Sequence, residues 1–253
     1  MIPIIYEEPH FLLVNKPAAL FSQAAGQIDS LQSRLIQQLK GRDNHPGEPF
    51  VGLPHRLDRG TSGIMLIARN QRALKRFGEQ FQSRKVVKHY LAVVEGDFPD
   101  QLQRWVDFLR KVTDQPLAEV VSSDCEGAKQ ALATADCLVR EAGTSLLSVQ
   151  LETGRMHQIR VQAAARGFPI IGDAAYSATR VFAAAAEEKA AAAVAAEAQA
   201  HPPIPLHAWS LEFRHPQSAK PMRFTAPVPD FWSCLPKGIF ARAKQLDQSE
   251  TCA

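Results

Sequence analysis

The sequence has few cysteines and no spacing that would use them. Its four cysteines are scattered, and no pair has CxxC spacing, so neither a zinc site nor a disulfide framework is indicated. No HxxxH or HExxH spacing accompanies the histidines, and metal catalysis is therefore not expected. Cysteine usage of this kind favours a reducing compartment, and we expect a cytoplasmic protein.

Long apolar runs are also missing. The segment Met1–Glu8 has no basic stretch followed by a long apolar one, so a secretory signal is not expected. No uninterrupted apolar span is long enough to cross a bilayer. With 253 residues, 45% of them hydrophobic and 22% charged, the chain has the composition of an ordinary soluble protein and can bury a substantial core.

The net charge of +3 is small, but its distribution is uneven. Between residues 69 and 88 a single acid, Glu79, stands among many basic residues. These are Arg69, Arg72, Lys75, Arg76, Arg84, Lys85 and Lys88. Such an excess would attract a phosphate backbone, although a solvated helix face has the same composition.

The hydrophobic pattern predicts an α+β fold. Helical spacing after Ser30 and Asn70, each a candidate N-cap, predicts two helices, and a third is predicted from about Met156 to Ala165. Strands are predicted near residues 11–15, 64–68, 89–94, 117–122, 130–139, 145–151, 206–213 and 222–225. We therefore expect a single domain over residues 1–253, with a mixed, mainly antiparallel central sheet, flanking helices and a central active-site cleft.

An alanine-rich stretch at about 180–200 stands apart from this pattern. Its composition has high helix propensity but lacks the bulky apolar stripe of a core helix. We interpret it as a helical insertion on the surface.

Asp58 is the first candidate for chemistry. Residues 55–63 read His-Arg-Leu-Asp-Arg-Gly-Thr-Ser-Gly and directly precede a predicted buried strand. The flanking Arg56 and Arg59 would favour an ionised carboxylate, which could act as a nucleophile. From these residues alone, a structural salt bridge is the favoured explanation.

Two further clusters carry polar and aromatic groups. In Gly154–Val161, His157 and Arg160 are three residues apart, so on a helix they share a face, near an N-terminus suited to an anion. An exposed, purely structural helix start is the alternative. Tyr90 follows the basic segment and could stack on a base, or it could be an ordinary core residue.

Taken together, these segments resemble the RluA-type family of pseudouridine synthases, which modify uridines in ribosomal and transfer RNA. The matching segments are NKP at residues 15–17, HRLDxxTSG at 55–63, KxYxAxVxG at 88–96, GRxHQIR at 154–160, PIxGDxxY at 169–176 and LHAxxLxFxHP at 206–216. Their order and spacing over nearly the whole chain make coincidence an inadequate explanation.

The resemblance implies three catalytic residues. Asp58 would be the nucleophile, and Arg160 would pair with it and keep it ionised. Tyr90 would stack on the target uracil and assist removal of the C5 proton.

The resemblance and the basic segment together also imply a set of substrate-binding residues. Arg56 would enter the RNA and hold the target nucleotide out of the stack, and either Ile159 or Val161 would form the apolar wall of the pocket. The full predicted set is His55, Arg56, Thr61, Arg72, Lys75, Lys88, Ile159 and Val161. Many relatives carry an N-terminal S4-type domain, but Asn15 already begins the NKP motif, so we expect the catalytic domain itself to recognise the RNA.

The implied reaction is the isomerisation of uridine to pseudouridine in ribosomal or transfer RNA, which needs base flipping but no cofactor. We expect a monomer with RNA as its partner. One alternative is a catalytically inactive RNA-binding module on the same fold. Another is a hydrolase, but that chemistry usually needs a second carboxylate, which neither the HRLD segment nor the GRMHQIR segment supplies.

Overall fold

A computed structural model describes residues 1–26, 28–43, 47–182 and 202–249. The chain packs into two compact units. Unit 1 comprises Met1–Val87 and Ala208–Pro227, and unit 2 comprises Lys88–His207 and Val228–Ala253. The single-domain organisation and the central cleft that the sequence predicts stay predictions.

Unit 1 is built on antiparallel strands. They are β1 (Ile4–Glu7), β2 (Phe11–Lys16), β3 (Ser62–Ala68), most of β9 (Leu206–Arg214) and β10 (Pro221–Thr225). β2 pairs with both β1 and β3, and β9 forms a hairpin with β10. β3 is buried along its whole length, as its continuous apolar sequence predicts. Gly63 in β3 has a φ of +118°, and an added Cβ would lie 2.2 Å from the carbonyl oxygen of Ala208, so only glycine fits there.

Two helices pack against this sheet, α1 (Leu31–Asp43) and α2 (Gln71–Gln82). Both predicted N-caps are confirmed. The Oγ of Ser30 accepts a hydrogen bond from the N–H of Ser33 (3.2 Å), and Oδ1 of Asn70 accepts one from the N–H of Ala73 (2.8 Å). Phe77 of α2 is fully buried and meets the ring of Phe11 edge to face, with ring centroids 5.6 Å apart.

Unit 2 contains a second antiparallel array in the order β4, β8, β7, β5, β6. The strands are β4 (Val87–Glu95), β5 (Gln103–Lys111), β6 (Ala118–Val121), β7 (Lys129–Glu141) and β8 (Thr144–Leu151). The strand pairs described in both units are antiparallel, and the predicted α+β class with a mixed, mainly antiparallel sheet is confirmed.

Unit 2 also holds α3 (Gln158–Ala165), α4 (Lys237–Ser249) and short 3-10 turns at Ala174–Tyr176 and Asp230–Cys234. The predicted start of α3 at about Met156 is wrong by two residues. His157 adopts a left-handed φ of 52°, so regular helix begins only after it. One face of the sheet and Ile159 of α3 share an apolar core with Trp105 and Leu147.

The predicted alanine-rich helix falls almost wholly on residues 183–201, which lie outside the described residues. No helix within the described ranges is long and apolar enough to span a membrane.

Candidate active site

The loop that carries Asp58 is fixed by side chains from the preceding part of unit 1. The hydroxyl of Ser22 accepts a hydrogen bond from the N–H of Leu57 (3.0 Å) and donates one to the carbonyl of the same residue (2.7 Å). The carbonyl of Asp58 accepts from the N–H of Thr61 (3.1 Å), which closes a tight turn. The Asp58 side chain is half-buried. The backbone around it is therefore fixed on both sides.

Lys16, at the end of β2, is the buried cation of this loop. Its Nζ donates hydrogen bonds to the carbonyls of Pro17 (2.8 Å), Leu20 (2.7 Å) and Arg59 (3.3 Å), and the residue has no solvent exposure. Burial lowers the pKa of Lys16 from 10.5 to about 7, whereas the nearby Asp58 carboxylate acts in the opposite direction. Ammonium and carboxylate therefore attract each other. The sequence contained Lys16 within NKP but gave no sign of this role.

The other predicted residues of the loop occupy distinct environments. Nε2 of His55 accepts from the N–H of Leu66 (3.0 Å), and its ring stacks on Phe81 at 4.6 Å between centroids. His55 therefore attaches the loop to β3 and α2. Arg56 is exposed. Thr61 is 2% exposed, and within the described residues its hydroxyl has no hydrogen-bond partner, which is unusual for a buried polar group.

The predicted basic residues do not all share one environment. Arg72 and Lys75 lie on the exposed face of α2. Arg69, in contrast, is ion-paired with Glu7 at 2.8 Å, which neutralises one member of the basic segment. Lys88 belongs to unit 2.

In unit 2, Lys88 and Tyr90 lie on β4, opposite Leu151 and Val149 of β8. Nζ of Lys88 donates to the carbonyl of Thr153 (3.2 Å), at the start of the GRMHQIR segment. The partly buried Tyr90 ring packs against the apolar core that includes Ile159.

The GRMHQIR segment is shaped by the buried side chain of Gln158. Its Oε1 accepts hydrogen bonds from the hydroxyl of Thr153 (2.8 Å) and the N–H of Arg155 (3.0 Å). Its Nε2 donates to the carbonyl of Leu132 in β7 (3.1 Å). These bonds attach the start of α3 to the sheet, a role that the sequence motif did not reveal.

Arg160 makes a buried, bidentate ion pair with Asp173. Its Nε and Nη2 contact the two carboxylate oxygens at 2.6 and 2.7 Å, and the two side chains are only 8% and 2% exposed. Sequence reasoning placed Arg160 beside Asp58 and did not assign Asp173 a role, although Asp173 stands in the PIxGDxxY match. A buried arginine needs a carboxylate partner. That requirement could have pointed to Asp173, the acidic residue of the PIxGDxxY match, as the partner of Arg160.

Tyr176 joins Arg160 to His157. The Arg160 guanidinium lies over the Tyr176 ring, 4.9 Å from its centroid. The Tyr176 hydroxyl accepts from the N–H of Ala118 in β6 and is hydrogen-bonded to Nδ1 of His157, both at 2.9 Å. His157 precedes α3 in a left-handed conformation, so the predicted helical face does not include it, although His157 and Arg160 both contact Tyr176.

The two apolar candidates on α3 point to different neighbours. Ile159 belongs to the core against which Tyr90 packs, whereas Val161 packs with Tyr176, Leu109 and Ala118. A separation of two residues turns side chains to nearly opposite sides of a helix. In the described ranges, no three histidine, cysteine, aspartate or glutamate side chains lie together as metal ligands would.

Comparison with known proteins gives relatives for most of the chain. It is 36% identical over 229 residues to "Ribosomal large subunit pseudouridine synthase D" of Xanthomonas campestris, covering 90% of this chain and 66% of that protein. It is 36% identical over 223 residues to "Dual-specificity RNA pseudouridine synthase RluA" of Vibrio parahaemolyticus, covering 85% of this chain and 78% of that protein. The chain thus spans slightly less than two thirds of the length of the synthase D relative.

Solved structures show the same fold. The human protein "RNA Pseudouridylate Synthase Domain Containing 4" matches with a TM-score of 0.72 and 22% identity, covering 95% of this chain and 92% of the other. "RNA Pseudouridylate Synthase Domain Containing 1" matches with a TM-score of 0.69 and 23% identity, covering 100% and 96%. The family model described as "RNA pseudouridylate synthase" matches residues 10–165, so the chain belongs to the RNA pseudouridylate synthase family.

Proposed function

We propose that this protein is an RNA pseudouridine synthase that isomerises specific uridines in ribosomal or transfer RNA, with Asp58 as its catalytic carboxylate. The observation that carries the proposal is the Asp58 loop. Its half-buried carboxylate stands on a turn fixed by Ser22, Lys16 and Thr61, as a preorganised reacting group requires. We expect the protein to act in the cytoplasm as a monomer.

The reaction is an internal rearrangement of one nucleotide. The N1–C1′ bond of uridine breaks, the uracil turns, and a C5–C1′ bond forms while the C5 proton leaves to solvent and N1 gains a proton. No electrons or groups are transferred to another molecule. The base must leave the stack to turn, and Arg56, which is exposed on the Asp58 loop, is the residue we assign to holding it out.

Tyr90 and Ile159 form the apolar part of the proposed uracil pocket. Their shared core in unit 2 supports Ile159 over Val161 as the wall residue, because Val161 packs with a different group. The unsatisfied hydroxyl of Thr61 supports its assignment to substrate binding, since a bound uracil or sugar would supply the missing hydrogen bond.

The proposed pairing of Arg160 with Asp58 needs one refinement. Asp173 already engages Nε and Nη2 of Arg160, so the arginine would be shared between two carboxylates. Asp173 also offsets part of the arginine charge. Below its pKa of about 7, the buried Lys16 attracts Asp58 within unit 1 and is a second source of positive charge beside the proposed catalytic carboxylate.

A tritium-release assay tests the function. A large-subunit ribosomal RNA transcript and a pool of transfer RNA transcripts, each labelled with tritium at uridine C5, are incubated with the wild type and with Asp58→Asn. We expect the wild type to release tritium to water from one of them. Asp58→Asn keeps the size of the side chain but removes its charge, and we expect its rate to fall by a factor on the order of 1000 or more.

Three outcomes would contradict the proposal. Release of free uracil would indicate a hydrolase, and RNA binding without release from either substrate would indicate an inactive binding module. Equal rates for the wild type and Asp58→Asn would remove Asp58 from the mechanism. Asp29→Asn is a matched control, because Asp29 is an exposed carboxylate paired with Arg34 and should leave the rate unchanged.

A further inference from the structure

The hairpin formed by β9 and β10 is attached along one side of α2. Gln80 pairs with the backbone of Arg214 in both directions: its Nε2 donates to the carbonyl (2.9 Å) and its Oε1 accepts from the N–H (2.8 Å). One turn earlier on the helix, Arg76 donates to the carbonyl of Pro216. Gln80 and Arg76 are one helical turn apart on α2, so both contacts lie on the same side of the helix.

The connection between the two strands is well ordered. The N–H of His215 donates to the carbonyl of Lys220 (2.8 Å). Nδ1 of His215 accepts from the N–H groups of Gln217 and Ser218, both at 3.1 Å, so the proton of the neutral ring lies on Nε2. That nitrogen faces the Glu8 carboxylate at 3.0 Å. The connecting end of the hairpin is thus fixed by its own hydrogen bonds and by Glu8.

Helix and hairpin together present exposed cations without acidic partners. Arg72 and Lys75 on α2, and Arg214 and Lys220 on the hairpin, are all exposed. Within the described parts of the chain, no carboxylate lies within ion-pair distance of any of them. In contrast, arginines on and around the β5–β7 array have acidic partners: Arg104 with Glu152, Arg110 with Glu119, Arg140 with Asp100 and Arg166 with Asp107.

We propose that the outer side of α2 and the β9–β10 hairpin form one surface that binds the phosphate backbone of the RNA, with Arg214 and Lys220 as contacts beyond those on the helix. The inference rests on the proposed function for the identity of the anion. Four cations on two elements held in fixed register follow a polyanion better than a helix face alone.

The composition of this surface favours RNA over a membrane. Interfacial membrane helices combine lysine and arginine with exposed tryptophan, phenylalanine or leucine. The large hydrophobic side chains that are exposed in the described residues, such as Leu102 and Val106, belong to other segments. The surface is therefore polar as well as basic, as phosphate-backbone contacts require.

Charge reversal on the hairpin tests this surface. Arg214→Glu with Lys220→Glu is compared with Lys111→Glu and Lys129→Glu, which makes the same charge change at exposed positions on β5 and β7. Affinity for a fluorescein-labelled transcript of a large-subunit ribosomal RNA stem–loop is measured over a salt series. For the hairpin variant we expect affinity about tenfold weaker, and a slope of log K against log salt smaller in magnitude by about 1–2.

The β5/β7 variant should bind as the wild type does, and Arg214→Lys should restore most of the affinity if Arg214 acts as a charge. Thermal melting of each variant establishes that the fold is retained. Equal weakening by the hairpin and β5/β7 variants would overturn the proposal, because it would show a general charge effect. The wild-type tritium assay separates the two proposals. If no tritium is released but RNA binding still depends on the hairpin, the proposed enzymatic function is contradicted and the proposed RNA-binding surface is not.

Discussion

Two buried cations, one in each unit, are accommodated in opposite ways. Lys16 in unit 1 has three backbone carbonyls around its Nζ, and the pKa of its ammonium falls to about 7. Arg160 in unit 2 has a carboxylate that matches its planar fork. The chemistry of the two side chains explains the difference: lysine can lose its proton when burial is costly, whereas arginine cannot. The stability of the protein around Lys16 is therefore expected to depend on pH, whereas the stability around Arg160 is expected to depend on the Asp173 carboxylate.

The largest effect should come from breaking the Arg160–Asp173 pair. Asp173→Ala removes the bidentate carboxylate from a buried guanidinium, and we expect a loss of about 3–5 kcal/mol in the free energy of unfolding, measured by urea denaturation. Arg160→Met combined with Asp173→Ala removes both charges and should recover most of that stability. If Arg160 acts in catalysis, the double variant should still release no tritium.

That double variant also distinguishes two roles for Arg160. Recovery of both stability and activity would show that Arg160 only supports the fold. If the double variant is as unstable as Asp173→Ala, the unpaired charge is not the cause of the lost stability. The proposed difference between Arg160 and Lys16 would then be wrong.

Lys16 is expected to have a smaller effect on the free energy of unfolding, which should increase with pH. The unfolded chain keeps this proton up to its ordinary pKa of 10.5, whereas the folded protein releases it near 7. Between these values the unfolded state binds more protons, so stability should rise with pH by up to about 1.4 kcal/mol per unit. Urea denaturation at pH 6, 7, 8 and 9 should show this rise for the wild type.

Lys16→Met should lack that rise, so the difference between the two stability curves isolates Lys16 from the other titrating groups. The exposed Lys111→Met is the matched control and should follow the wild type. Parallel curves for the wild type and Lys16→Met would mean that Lys16 stays charged throughout, as Arg160 does.

The smallest expected effect is that of Tyr176→Phe. The ring remains for Arg160 to stack on, but the N–H of Ala118 loses its buried acceptor and His157 loses one hydrogen bond. We expect a cost of about 1–3 kcal/mol and faster hydrogen exchange at the Ala118 amide. His157→Asn, which suits the left-handed backbone, should leave that amide protected. Unchanged exchange in Tyr176→Phe would show that the hydroxyl does not stabilise β6.

Much of the fold could be predicted from local patterns, because caps and apolar runs are local. Ser30, Asn70 and the buried run of β3 are examples. β5 was missed because Val106 is apolar at an outward position and Asp107 is charged at an inward one, which blurs the alternation around Trp105. β1 and α4 were missed too. The start of α3 was predicted two residues too early, because the left-handed backbone of His157 has no signature in the sequence.

The site was predicted less completely, for a physical reason. Asp58, Tyr90 and Arg160 were found because they stand in motifs, and their catalytic roles stay predictions. Lys16, Gln158 and Tyr176 act through partners that are distant in sequence: Lys16 through the carbonyl of Arg59, Gln158 through Leu132, and Tyr176 through Ala118. Such contacts depend on how the chain folds back, and no spacing within a single segment encodes them.

The fixed turn at Asp58 has a consequence for the energetics of RNA binding. Ordering the backbone of a residue costs about 1–2 kcal/mol of conformational entropy, so a four-residue turn would cost about 4–8 kcal/mol if it became ordered only when substrate arrived. Because Ser22, Lys16 and Thr61 hold the turn in the free protein, that loss belongs to folding. At about 1.4 kcal/mol per factor of ten, a loosened turn would weaken substrate affinity by three or more orders of magnitude, even with every RNA contact unchanged.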